Sequence, residues 1–337
     1  MKDYRVGLVL EKSLAESLFS QEDLSILEQI AQINPISALP DTITREYMMQ
    51  QLADADVAVT CWRTPSFTGE MLASLPKLRL VAHGAGSVKN LVPVEFFNGN
   101  RRIFSNAPVI AEDVAQTTLA FMLTSLKQIW QFNDMTHRGG WKGGESGNFT
   151  TKRPNGLKVG LVGASMVGRA VIKYLKLFDC TIYMYDPYLS ALEAKALGVK
   201  PVALDTLLRE CDVVSLHAPA NEDCRHMLNS DNIPLLKDGA LLINTARGML
   251  IDEAALIKEL ETGRISACLD VTDPEPPAED SKLRTLSNVV LTPHIAGGHT
   301  VNGRRAMGRN VVNEVYSFLT TGKLKNEFHK EMFTHMA

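Results

Sequence analysis

Three residues able to carry charge or a proton stand at or just past short apolar runs in the second half of the chain. Arg247 follows Leu241-Leu242-Ile243-Asn244-Thr245-Ala246, Glu275 lies in Asp273-Pro274-Glu275-Pro276-Pro277, and His294 lies in Leu291-Thr292-Pro293-His294-Ile295. The planar fork of an arginine can hold a carboxylate and a neighbouring carbonyl oxygen together, which a lysine does less well. A histidine changes charge near neutral pH, and a carboxylate on its far nitrogen favours the protonated form, so the two together make a proton donor for a carbonyl. Taken singly, each has a plainer role: a surface cation, a solvated loop acid, a hydrogen-bonded loop histidine. Their shared position at strand ends, the edge at which open α/β sheets bind ligands, argues for chemistry.

A second constellation precedes them. Gly163-Ala164-Ser165-Met166-Val167-Gly168 closes a strand-like run and opens a helical one, reading G-x-S-x-x-G, one residue away from the dinucleotide fingerprint. Gly163 permits a tight turn and Gly168 close packing of helix on strand, while the helix start offers unpaired N–H groups to a pyrophosphate. Ser165 stands where a glycine normally lets the phosphates approach, so it either loosens the fit or donates a hydroxyl hydrogen bond. The next run, Thr181 to Tyr185, ends at Asp186. An acid there binds both hydroxyls of an adenosine ribose and repels the 2′-phosphate of NADP, which favours NAD. A methyltransferase using S-adenosylmethionine shares this local pattern, and an ordinary strand-to-helix turn would produce part of it.

The elements that must position these residues follow from the pattern of the whole chain. At 337 residues the length suits about two domains of roughly 150 residues each. The 45% hydrophobic and 22% charged composition is that of a folded chain rather than a disordered or collagen-like one. Net charge is −3, so no basic footprint for nucleic acid or an anionic membrane stands out. Five scattered cysteines read as reduced thiols in a cytoplasmic protein. The histidines show no metal-ligand spacing, and no apolar run reaches the ~20 residues of a membrane helix.

Short β-rich runs alternate with amphipathic stretches, the signature of parallel sheets covered by helices. Four strands are expected in the first third, at residues 5–10, 57–61, 78–82 and 102–105, with helices over 21–32 and 44–53. Six more are expected at residues 158–162, 181–185, 213–217, 240–244, 266–270 and 289–292, enough for a dinucleotide-binding sheet. Residues 111–130 form one long Ala-rich helical stretch, 138–156 a glycine-rich surface loop, 168–178 a helix after the phosphate loop, and 302–319 a closing helix. Arg304, Arg305 and Arg309 on that last stretch could attract a phosphorylated substrate, although a solvated basic face is the plainer reading.

With these motifs in place, the chain resembles the D-isomer-specific 2-hydroxyacid dehydrogenases along nearly all of its length. The resemblance is carried by Leu78 to Asn90, Val159 to Arg169, Leu216-His217-Ala218-Pro219, Ile243 to Gly248 (INTARG), Asp252 to Leu256, Leu269 to Pro276, and Leu291 to Gly298. It implies two Rossmann-like or flavodoxin-like α/β domains, parallel sheets flanked by helices, with the active site in the cleft between them. The substrate domain would be discontinuous, residues 1–106 and 300–337, around an NAD-binding domain of residues 107–299. It further implies that Arg247 binds the substrate carboxylate, that His294 is the general acid/base, and that Glu275 orients and charges it. Gly163, Ser165, Met166, Val167 and Gly168 would meet the pyrophosphate, Asp186 the ribose, and His217, Ala218 and Pro219 the adenine side. Thr245, Ala246 and Asp270 would position the nicotinamide, with Gly297 beside the cofactor.

Ala85, Gly86 and Ser87 would hydrogen-bond the substrate, and Arg63 and His83 would stand near it. A small carboxylate substrate and a homodimer, formed through residues 111–130 and 138–156, are the implied partners. Besides Ser165, the chain departs from the family pattern at Lys89, which replaces a usual aspartate, and at Thr272-Asp273, which replaces an aromatic and acidic pair. The stretch between Arg247 and Asp270 is also one residue shorter than common. Two other readings share the fold: an NADH-sensing, corepressor-like protein with little turnover, and a dehydrogenase of another small anion, formate or phosphite.

Overall fold

The computed structural model describes residues 4–141 and 151–334. Residues 142–150, the middle of the expected glycine-rich loop and part of the expected dimer contact, lie outside the described residues. The chain divides into two compact units, one of residues up to Asp113 and from Gly297 onward, the other Val114–Ala296. The second crossing falls at Gly297 because Asp113 gathers the residues beyond it: its carboxylate accepts the Gly298 N–H at 3.3 Å and the Thr300 hydroxyl at 3.0 Å.

The first unit is built on β1 (Tyr4–Val9), β2 (Ala31–Ile33), β3 (Val57–Thr60), β4 (Leu80–His83) and β5 (Arg102–Ser105), in the order β2-β1-β3-β4-β5. Every pairing is parallel. Both faces are covered, so the middles of the strands are apolar on successive residues rather than alternating. Val6, Leu8, Val59, Leu80 and Ala82 pack under the helices Lys12–Leu18, Gln21–Glu28 and Val301–Thr321. Their neighbours Val9, Ala58 and Val81 face the other way, against Met48 and Leu52 of Arg45–Leu52 and Met71 of Gly69–Ala73. The period of two in this partition is the pleat of the strand.

The second unit holds β6 (Lys158–Val162), β7 (Thr181–Tyr185), β8 (Lys200–Pro201), β9 (Val213–Leu216), β10 (Leu241–Asn244), β11 (Ser266–Leu269) and β12 (Val289–Leu291). Their order is β12-β11-β10-β9-β6-β7-β8, all parallel. The chain direction across the sheet reverses between β6 and β9, and a crevice opens beyond the carboxyl ends of strands at such a switch point.

Three local expectations change. The structure adds β2 and β8, the first hidden in the tail of an expected helix that in fact ends at Glu28, the second only two exposed residues long at a sheet edge. The long helical stretch is two helices, Ala107–Leu126 and Ile129–His137, broken at Gln128, whose φ is 52°. A continuous helix would need the Leu126 carbonyl for its own next turn, but that carbonyl accepts from the Lys152 N–H at 2.7 Å. The helix after the phosphate loop starts two residues earlier than expected, at Met166, because Ser165 caps it. Among the described residues no helix is long and apolar enough to cross a membrane, and all five cysteines are free thiols.

Candidate active site

The phosphate loop leaves β6 at Gly163, whose φ of 101° suits only glycine. A Cβ there would stand 2.8 Å from the His217 carbonyl group and the Ala218 nitrogen, and one on Gly168 would stand 2.2 Å from the Gly163 carbonyl oxygen. The loop is therefore pressed onto the end of β9 with no room for side chains. The Ser165 hydroxyl accepts the Gly168 N–H at 3.3 Å, capping Met166–Leu175. This explains the departure from the fingerprint: the hydroxyl serves the helix, and among the described residues its own hydrogen has no acceptor. Among the described residues the first-turn N–H groups of Met166 and Val167 have no acceptor, so two donors stand ready for an anion.

Asp186 closes the rim of this loop. Its carboxylate accepts the Ala164 N–H at 2.7 Å and the Tyr188 N–H at 2.8 Å, one on each oxygen. The cradle the missing side chains leave, the two free donors and the pinned acid fit a dinucleotide. His217, expected on the adenine side, is buried. Its ring is 3% exposed and 3.0 Å from the Ser215 hydroxyl, and burial pushes the imidazole down to about 3. It is an uncharged part of the floor under Gly168, its Cβ lying 3.6 Å from where a Gly168 Cβ would stand, and its carbonyl group and the Ala218 nitrogen border Gly163.

At the end of β10, Asn244 braces the turn that carries Arg247. Its amide oxygen accepts the Ala246 N–H at 3.0 Å and its amide nitrogen donates to the Arg247 carbonyl at 2.9 Å. Thr245 is buried, 2.8 Å from the Thr118 hydroxyl, which itself donates to the Val114 carbonyl, so Thr245 is the donor of the pair. The Arg247 side chain is half-buried and, among the described residues, only the Ala246 carbonyl accepts from it, at 2.7 Å. Burial pushes this guanidinium below the ordinary arginine value, and the charge of Glu275 acts against that shift. A partly desolvated cation with open donors is a site for an anion.

A Cβ on Gly248 would stand 2.0 Å from the Thr272 carbonyl oxygen, so the Arg247 turn and the chain leading to Glu275 cross in contact. Glu275 Oε1 lies 2.5 Å from His294 Nδ1, both side chains a little under half exposed. With Nδ1 held by the carboxylate, Nε2 is the nitrogen that remains to exchange a proton. His294 has a φ of 55°, unusual outside glycine, and Asp270 sustains that turn. The Asp270 carboxylate, 1% exposed, accepts from the Thr292 hydroxyl at 2.5 Å and from the Ile295 and Ala296 N–H groups at 2.9 and 2.8 Å. The resemblance places Asp270 at the nicotinamide; what the structure shows is that it shapes the His294 turn. Asp270→Asn puts an amide against N–H donors, a conflict worth about 1–3 kcal/mol. A melting temperature lowered by several degrees, with turnover down about tenfold, is the expected result of thermal melts and steady-state assays.

In the first unit, Gly84 to Ser87 leave β4, with His83 buried at 4% exposure and the Arg63 side chain 77% exposed and paired with Glu11 at 3.1 Å. Neither presents a free charge. Gly297 belongs to this unit, its carbonyl 3.1 Å from the His299 ring. The structure thus draws Arg247, Glu275, His294 and Asp270 into one neighbourhood and the phosphate loop with Asp186 into another, within the same unit. Asn244, Thr118 and Thr292 were not singled out in the sequence. Only Asn244 left a trace there, an Asx residue at a strand end two positions before a backbone N–H it can accept.

The family profile "D-isomer specific 2-hydroxyacid dehydrogenase, NAD binding domain" matches residues 119–296. The chain is 32% identical over 91% of its length to a D-3-phosphoglycerate dehydrogenase of Methanocaldococcus jannaschii, of which it spans only 57%. It is 30% identical over 95% of its length to a hydroxypyruvate reductase of Thermotoga maritima, covering 99% of that protein. Among solved structures, a glyoxylate reductase from Paecilomyes thermophila superposes with a TM-score of 0.79 at 25% identity, over 98% of this chain and all of that one. The chain belongs to the D-isomer-specific 2-hydroxyacid dehydrogenase family and carries that family's NAD-binding domain.

Proposed function

We propose that the protein interconverts a 2-oxo acid and a D-2-hydroxy acid with NAD as the redox partner. The observation that carries this is the Glu275 contact at Nδ1 of His294, which leaves Nε2 for the proton, beside a half-buried Arg247 with open donors. Bound NADH supplies the hydride. Arg247 holds the substrate carboxylate, and His294 gives its Nε2 proton to the carbonyl oxygen as the carbon is reduced. Run backwards, the same nitrogen takes the hydroxyl proton and Glu275 stabilises the resulting imidazolium. Gly163, Gly168, Met166 and Val167 hold the pyrophosphate, and Asp186 the ribose, which selects NAD over NADP.

Four of the five cations singled out for a second anionic group on the substrate have partners within the protein, while Arg305 is exposed with none among the described residues. Arg63 pairs with Glu11, Arg309 with Asp23, and Arg304 donates to the Gly298 carbonyl, while Lys89 is not free. This favours a small, unphosphorylated 2-oxo acid. Ile129 and Trp130, 49% and 43% exposed, and Trp141, 69% exposed, supply apolar surface for a homodimer, and the free thiols suit the cytoplasm.

A panel of glyoxylate, hydroxypyruvate and phosphorylated hydroxypyruvate, followed by nicotinamide absorbance with NADH and NADPH, tests this reading. Expected is turnover with NADH at least about tenfold more efficient than with NADPH, and a preference for the unphosphorylated acids. Silence across the panel with NADH still bound would instead support a sensing protein, and activity only with NAD and formate or phosphite a different dehydrogenase.

A further inference from the structure

The rim of the phosphate loop carries a charge pair to which the proposed reaction gives no task. Asp186 and Arg169 grip the two sides of one loop residue. The Asp186 carboxylate accepts the Ala164 N–H at 2.7 Å, and Arg169 Nε donates to the Ala164 carbonyl at 2.9 Å. A single residue therefore separates the acid proposed to hold the ribose from a guanidinium. Left unpaired, such a cation would work against that acid, because an arginine near the ribose attracts the 2′-phosphate that the carboxylate repels.

Arg169 is paired. A terminal nitrogen of its guanidinium lies 3.0 Å from Glu193 Oε1, in the first turn of the helix Ala191–Leu197 that follows Asp186. Glu193 is itself fixed. Its other oxygen accepts the Ser190 N–H at 3.2 Å and the Ser190 hydroxyl at 2.8 Å, while the Glu193 N–H returns to that hydroxyl at 3.2 Å. This reciprocal cap commits one carboxylate oxygen to the helix and leaves the other for the guanidinium. The Ser190 hydroxyl and then Arg169 hold the Glu193 carboxyl below the ordinary glutamate value, so it is ionised near pH 7. Both side chains are close to half exposed, at 43% and 47%, and an ion pair so placed contributes little to stability. What it does change is the local field: with Glu193 present the two charges sum to zero beside Asp186, and without it a full positive charge would remain. Such charges act within the screening length, about 10 Å at 0.1 M salt, so a phosphate on a ribose held at Asp186 would feel them while an unphosphorylated ribose would feel them little.

We infer that Glu193 is a specificity-determining residue for the cofactor: by neutralising Arg169 beside Asp186, it denies a 2′-phosphate its cation and widens the preference for NAD over NADP. The inference rests on the proposed binding of NAD at Asp186. It goes further in assigning part of that choice to a residue of the next helix, and it predicts opposite effects on NADPH from removing the two members of one ion pair.

The test measures Kd for NADH and NADPH by fluorescence titration, at about 0.05 M and about 0.5 M salt, together with melting temperature, in wild type, Glu193→Gln, Arg169→Gln and the double variant. In Glu193→Gln the NADPH Kd is expected to fall at least about threefold while the NADH Kd stays within about twofold. In Arg169→Gln, where Glu193 is left unpaired, the NADPH Kd rises at least about threefold relative to that of NADH. The double variant, again without net charge at the pair, returns to within about twofold of the wild-type ratio, and the higher salt shrinks every difference. A ratio of NADPH to NADH Kd that is unchanged in Glu193→Gln, whatever the melting temperature does, would show a merely structural tie between loop and helix and overturn the inference. Should Glu193→Gln fail to fold, the ratio in Arg169→Gln decides alone. A wild type that binds NADPH as tightly as NADH would overturn the proposed choice of NAD at Asp186, and this inference with it.

Discussion

Replacing His294 with alanine lowers kcat for 2-oxo acid reduction by about 10²–10⁴, the range set by general acid–base catalysis, and leaves the NADH Kd within about twofold. The separation is expected because the proposed reaction takes its proton from this ring, whereas the pyrophosphate and ribose contacts it assigns lie on the Met166–Leu175 helix and at Asp186. Alanine also lacks the ease with which some polar residues adopt a left-handed backbone, and His294 sits at φ 55°. His294→Asn is therefore the companion variant: asparagine tolerates this conformation and cannot replace the imidazole. If both variants lose turnover alike, the ring is responsible; if asparagine restores it, the turn is. Glu275→Gln keeps a partner of similar shape at Nδ1 but removes the charge that stabilises an imidazolium, so an intermediate loss of about 10–100-fold is expected. Full activity in His294→Ala with the substrate panel would sink the proposed mechanism.

How much of this site could be read beforehand depended on the range of the forces involved. The order of strands, the phosphate loop, Asp186, Arg247, Glu275 and His294 all leave local marks: apolar runs, glycines, and isolated charged residues at strand ends. What escaped was set by distant partners. The break at Gln128 follows from the Lys152 N–H reaching the Leu126 carbonyl, which no helical period reveals. β8 is two exposed residues held only by pairing with β7, too short for any alternation to show. Asp270 reads as one acid beyond a strand, and its service to three donors of the His294 turn appears only when β11 and β12 lie side by side. His83 and His217 look alike in sequence, polar residues near strand ends, yet both are buried and uncharged near neutral pH because neighbouring strands cover them. Ser165 looked like a weakened phosphate motif until its hydroxyl was seen to cap the helix, a local role that the fingerprint hides.

That cap leads to the other large effect. Gly168→Ala is expected to raise the NADH Kd by at least about 100-fold and to lower the melting temperature, while Ser165→Gly changes either only slightly. The alanine Cβ would lie 2.2 Å from the Gly163 carbonyl oxygen, a backbone atom that cannot swing aside as a side chain would. Relief requires the Met166–Leu175 helix to move off the loop, and Gly163 cannot follow, being wedged against His217 and Ala218. Overpacking of this kind costs about 1–3 kcal/mol of stability. The helix start is also what aims the Met166 and Val167 N–H groups, and hydrogen bonds to a charged group contribute about 1.5–3 kcal/mol each, so misplacing two of them accounts for the lost affinity. Ser165→Gly leaves that geometry alone, because glycine at a cap position costs only a few tenths of a kcal/mol relative to serine. NADH fluorescence titration and thermal melts of both variants check the contrast. Equal binding by wild type and Gly168→Ala would mean that the cofactor is not held at this helix, and would remove the phosphate loop from the reaction.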